Sequence, residues 1–131
     1  MIPTIPNSFP QSPLYKKAMD IFILSRNISS YLVHDLAPIQ ASGKEDPNIY
    51  FSGDIVQQSV SLAPSILKAE SQHFSEEKQK YAASVTRLTN LLYKNCERLE
   101  RANSNGKDFL PILRKELKKF RKLQRTWMMT L

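Results

Sequence analysis

The final stretch, Asp108–Leu131, constrains this chain more than any other. Wound on a helix of about 3.6 residues per turn, it separates into two faces. Leu110, Leu113, Leu117, Phe120, Gln124 and Trp127 follow the alternating three-and-four spacing of a core seam, with Ile112 and Leu123 widening it. Arg114, Lys115, Lys118, Lys119, Arg121, Lys122 and Arg125 fall on the other side. From Lys107 onward there are eight basic and two acidic residues, against 11 and 10 in the rest of the chain. Nearly the whole net charge of +7 therefore sits on one helix, whose apolar side requires other helices to cover it.

The remaining sequence supplies those helices. A chain of 131 residues with 41% hydrophobic content and three glycines reads as one ordered, mostly helical domain. Met1–Ser12, with Pro3, Pro6 and Pro10, reads as an extended or disordered tail, because repeated prolines deny it helical hydrogen bonds. Ser12-Pro13 is a cap followed by proline at the first helical position, and it starts a helix over 13–34. Leu14, Ala18, Ile21, Phe22, Leu24, Ile28, Tyr31 and Leu32 give that helix one apolar seam. Tyr15, Met19, Ile23 and Val33 add a second, which suggests contact with another subunit.

Pro38, Gly43 and Pro47 make 35–48 a long polar connection. A second helix is predicted over 53–71, capped by Ser52 and kinked at Pro64, where a backbone donor is missing. A third is predicted over 76–103. Ser75 caps it, Glu76 and Glu77 sit on the positive end of its dipole, and Tyr81, Val85, Leu88, Leu92, Leu99 and Ala102 form its seam. Asn103-Ser104-Asn105-Gly106 is a helix stop. Asp108 caps the fourth helix, over 108–129, with Pro111 in its first turn. The fold class is all-α: an up-down antiparallel four-helix bundle with a kinked second helix, residues 1–12 forming the tail and 13–131 the bundle.

Catalytic chemistry finds little support. There is no glycine-rich phosphate loop, no paired Cys or His spacing and no serine elbow. Glu70-Ser71-Gln72-His73 matches the Glu-x-x-His spacing of di-iron bundles, but those need a second copy and two further inward glutamates. No catalytic residue, metal site or cofactor is expected. A lone cysteine, Cys96, excludes an internal disulfide framework and fits a reducing, cytoplasmic setting as a small core residue. No signal peptide is read in Met1–Ser12, and the longest apolar run, Ile21–Leu24, is too short to span a bilayer.

The basic stripe has three competing explanations. A solvated face needs no partner. A membrane-surface helix needs apolar residues available for insertion, and here the seam is committed to the bundle. A nucleic-acid surface needs arginines and lysines on one rigid face, contacting successive phosphates. This third explanation leads, and binding would follow backbone and shape, because no base-reading motif accompanies the stripe. Past Trp127 the apolar residues Met128, Met129 and Leu131 wrap around the last turn. With Tyr15, Met19 and Ile23 on the first helix, Trp127, Met128 and Met129 are the expected homo-oligomer interface.

Four features together resemble a known family. They are Tyr15-Lys16-Lys17-Ala18-Met19 opening the first helix, Ser61-Leu62-Ala63-Pro64 in the second, Tyr81-Ala82-Ala83-Ser84 in the third, and a basic last helix ending at Trp127. In order and spacing they are similar to the bacterial four-helix bundles that include rRNA intervening-sequence proteins and the accessory variability determinants of diversity-generating retroelements. The resemblance covers about 14–131. After the proline this chain has Ile66-Leu67-Lys68-Ala69-Glu70 where intervening-sequence proteins carry an Asn-Ile-Ala-Glu-Gly run, which leans towards the accessory branch. The resemblance implies a non-enzymatic, barrel-shaped homopentamer with a positive outer surface. It also implies nucleic acid and a reverse transcriptase as partners. The alternative is a structural or protein-interaction module without nucleic-acid binding.

Overall fold

A computed structural model describes residues 12–36, 43, 48–101 and 108–131. The chain is all-α, with four helices packed as a bundle and the second helix bent by 25°. The segments are α1 (Pro13–Leu36), α2 (Asn48–Val60), α3 (Leu62–Ser71), α4 (Ser75–Glu100) and α5 (Leu110–Met129), with α2 and α3 forming the bent helix. α1 packs on α2, α3 and α5, and α4 packs on the same three, whereas α1 and α4 lie across a diagonal. Each helix thus packs against the ones before and after it, as in an up-down bundle.

The seam read on α5 is the buried one: Leu110, Leu113, Leu117, Phe120, Gln124 and Trp127 are all buried. They meet Leu14, Ala18, Ile21, Ile28 and Leu32 of α1, Ile55, Leu62 and Ile66 of the bent helix, and Val85, Leu92 and Leu99 of α4 in one core. Ile112, expected to widen the seam, is 51% exposed, and Leu123 is half-buried. Ser12 starts α1 as expected: the Tyr15 N–H donates to its hydroxyl at 3.2 Å and the Lys16 N–H to its carbonyl at 3.1 Å.

The kink has a local cause. Pro64 is the third residue of α3 and has no N–H for the carbonyl one turn back, so the helix breaks at Ser61. Two serine hydroxyls take up carbonyls around the break, Ser61 donating to Gln57 O at 3.0 Å and Ser65 to Ser61 O at 2.9 Å. Such back-bonding itself bends helices.

Three predicted starts need correction. The second helix begins at Asn48, and Ser52 lies inside α2, fully buried. The pair Ser52-Gly53 reads as loop chemistry, but burial of Ser52 and the adjacent Ile55 outweighs that local preference. Ser75 is the first residue of α4, with Phe74 at the cap position and no side-chain cap bond. Asp108 sits in a tight turn before α5, whose cap position is Phe109, again without a side-chain bond. Asp35 belongs to α1, so the connection starts later than expected. Within it Gly43 has φ 80, a left-handed conformation that suits glycine. The predicted tail up to residue 11, the rest of the connection and the stop at 103–106 lie outside the described residues.

Candidate nucleic-acid interface

The seven basic residues of α5 share one half of the helix but not one environment. Lys115, Lys118, Lys122 and Arg125 are exposed. None of the four makes a side-chain hydrogen bond or ion pair among the described residues. Their spacing of three, four and three residues makes them a straight row along the outward side of the helix.

The other three are engaged. Arg114 pairs with Glu100 of α4 at 2.8 Å. The Tyr93 hydroxyl and the Glu100 carboxylate beside it raise the pKa of its guanidinium further. Arg121 donates to Asn90 Oδ1 at 3.1 Å and lies 4.5 Å over the Tyr93 ring. On the opposite edge Lys119 and Lys17 of α1 both pair with Glu116, at 3.0 and 3.1 Å. Those two lysines, Lys119 first, hold the Glu116 carboxyl below its usual range. Glu116 thereby neutralises charge at the α1 edge and leaves the outward row as the unpaired part of the stripe.

Between α4 and α5 an open groove of about 340 Å³ is lined by Thr86, Asn90, Arg121, Gln124, Arg125 and Met128. Gln124, a polar residue in the seam, is satisfied there: its Nε2 donates to Thr86 Oγ1 at 2.7 Å. Sequence reasoning missed the contribution of α4. Arg87, Lys94 and Arg101 are exposed and seven residues apart, so they share one stripe of that helix. The seven-residue recurrence was the available signal, and Glu97 and Glu100 between them hid it in the charge balance.

The expected assembly residues also divide. Trp127 is buried within the single chain, its indole N–H donating to Glu70 Oε2 at 2.9 Å. Met128 and Tyr15 are half-buried against the core. Met19, Ile23 and Met129 are exposed. Glu70, the carboxylate of the Glu-x-x-His pattern, thus serves as the indole's acceptor. No cluster of three or more His, Cys, Asp or Glu side chains suited to a metal ion occurs among the described residues. Burial, with Glu100 nearby, pushes the Cys96 thiol up to about 12. No described helix is long and apolar enough to cross a membrane.

No family model, curated protein or solved structure matches the chain. What fold and surface define is a small all-helical four-helix protein.

Proposed function

We propose that this chain is a cytoplasmic, non-enzymatic nucleic-acid-binding accessory protein whose phosphate-contacting face is the outward row of α5. The observation that carries the proposal is the row itself: Lys115, Lys118, Lys122 and Arg125 project from the helix with no partner among the described residues. Uncompensated cations at fixed spacing attract a polyanion by releasing its counterions, without reading sequence. Arg114, Arg121 and Lys119 flank the row, and Arg87, Lys94 and Arg101 extend positive charge onto α4.

Self-association belongs to the same proposal. Ile23 and Met129 remain exposed apolar side chains beyond the bundle's own needs. The family resemblance supports a closed ring of five copies, with a reverse transcriptase as a protein partner. A ring would repeat the basic face and add weak contacts by avidity. A titration with labelled RNA and DNA at two salt concentrations tests the proposal, with replacement of the four outward cations by Glu expected to abolish the binding.

A further inference from the structure

The groove of about 340 Å³ between α4 and α5 opens beside the outward row, and Arg125 belongs to both. Two arginines and no acidic side chain line it. Arg121 is held there in a fixed plane: it donates to Asn90 Oδ1 at 3.1 Å and its guanidinium carbon lies 4.5 Å from the centre of the Tyr93 ring. A planar guanidinium backed by a ring on one side offers its other side to a second flat group. Gln124 is only 6% exposed, and its Nε2 is taken by Thr86 Oγ1 at 2.7 Å. Its Oε1 has no partner among the described residues, yet it still reaches solvent. Asn90, its own oxygen occupied by Arg121, keeps its amide donors. Met128, half-buried, adds apolar surface.

We propose that this groove takes one unpaired nucleobase of a strand whose phosphates follow the outward row. The inference rests on that row being the phosphate-contacting face. The base stacks on the Arg121 plane, as unstacked bases do on guanidinium groups. Its edge meets the Asn90 donors and the Gln124 acceptor, and its phosphates lie towards Arg125 and the row. Inside a duplex the faces and the pairing edge of a base are already occupied, so an unpaired base alone can enter. Stacking accepts any base, because every base has a π-face, so the groove adds affinity without selecting sequence.

Two other hollows suit a base less well. A larger one of about 510 Å³ on α4 includes Glu97, whose carboxylate repels the phosphates that a base carries with it. The groove between α1 and the bent helix, lined by Met19, Phe22 and Leu67 among others, offers no charged side chain to hold them.

The test compares two DNA strands of about 12 nucleotides, within the usual site sizes. One has mixed sequence and the other consists of stable abasic residues, so the two carry the same phosphates. Anisotropy titrations of the full-length chain should show the base-containing strand bound at least about fivefold more tightly, the order that one stacked base supplies. Because the phosphates are equal in number, the two strands should give the same salt slope. Arg121→Lys keeps the charge and removes the plane, so it should bring the affinity ratio of the two strands close to one. Asn90→Ala should lower the same ratio. Neither side chain is buried, and retained helical circular dichroism confirms that both variants fold. Equal binding of the two strands by the wild type would overturn the groove assignment and leave the row standing. A ratio that survives both substitutions would place the base elsewhere and overturn it too. A wild type that binds neither strand at low salt would remove the row, and this proposal with it.

Discussion

The indole N–H of Trp127 donates to the Glu70 carboxylate at 2.9 Å, joining α5 to α3, two segments whose backbones do not otherwise pack on each other. This bond closes the bundle across its diagonal at the end where α1 begins. Glu70→Gln keeps an acceptor and should leave stability near wild type. Glu70→Ala strands the N–H of a residue only 6% exposed, at a cost on the order of 1 kcal/mol. Trp127 is the single tryptophan, so its fluorescence reports this contact directly, and the Ala variant alone should change it.

Ser25 lies in α1 with its hydroxyl fully buried and without a hydrogen-bond partner among the described residues. An unsatisfied buried hydroxyl costs about 1–3 kcal/mol. Ser25→Ala is therefore expected to raise Tm by a few degrees, measured by thermal unfolding under circular dichroism. A fall in Tm would mean that this hydroxyl is satisfied in solution.

Glu116 gives the fold an acid-sensitive edge. Its folded pKa is depressed by Lys119 and Lys17. The stability it contributes is therefore complete above the unfolded value of about 4.3 and is lost as pH falls through the lower folded value. Tm of the wild type should exceed that of Glu116→Gln at neutral pH, and the difference should vanish in strong acid. The same variant releases Lys17 and Lys119 and removes one negative charge, so it should bind nucleic acid more tightly at low salt.

Cys96 is fully buried with its thiol pushed up to about 12. Because the thiolate is the reactive form, a thiol reagent at pH 8 should leave the folded chain unmodified. It should label the chain stoichiometrically in denaturant, as followed by mass spectrometry. Rapid labelling of the folded chain would place Cys96 at an accessible position.

Helix periodicity made most of this fold legible before any coordinates. Six of six seam positions on α5 are buried because a regular helix in a bundle leaves its apolar stripe nowhere else to go. The start at Ser12-Pro13 and the bend at Pro64 follow from local backbone chemistry and were equally readable. The start of α2 was not, because Ser52 and Gly53 look like loop residues until the burial of Ser52 is known. The basic face was legible as a stripe but not as a set of unequal residues. What separates Lys118 from Lys119 is Glu116, paired in turn with Lys17 99 residues away in sequence. The partners of Arg121 and Gln124, namely Asn90, Tyr93 and Thr86, lie on another helix and carry no sequence signature.

The most direct test of the account is the salt dependence of nucleic-acid binding. Anisotropy titrations of wild type and of a chain with Lys115, Lys118, Lys122 and Arg125 all replaced by Glu should be run at two salt concentrations. Wild-type affinity should fall with a log–log slope of roughly −0.9 per phosphate contacted on duplex DNA, or about −0.7 on single strands. The replaced side chains are exposed, so the variant should retain its helical circular dichroism while its binding is lost and its slope flattens. A wild type that binds neither RNA nor DNA at low salt, or a folded variant that binds as tightly as the wild type, would contradict the assignment of α5 as the phosphate-contacting face.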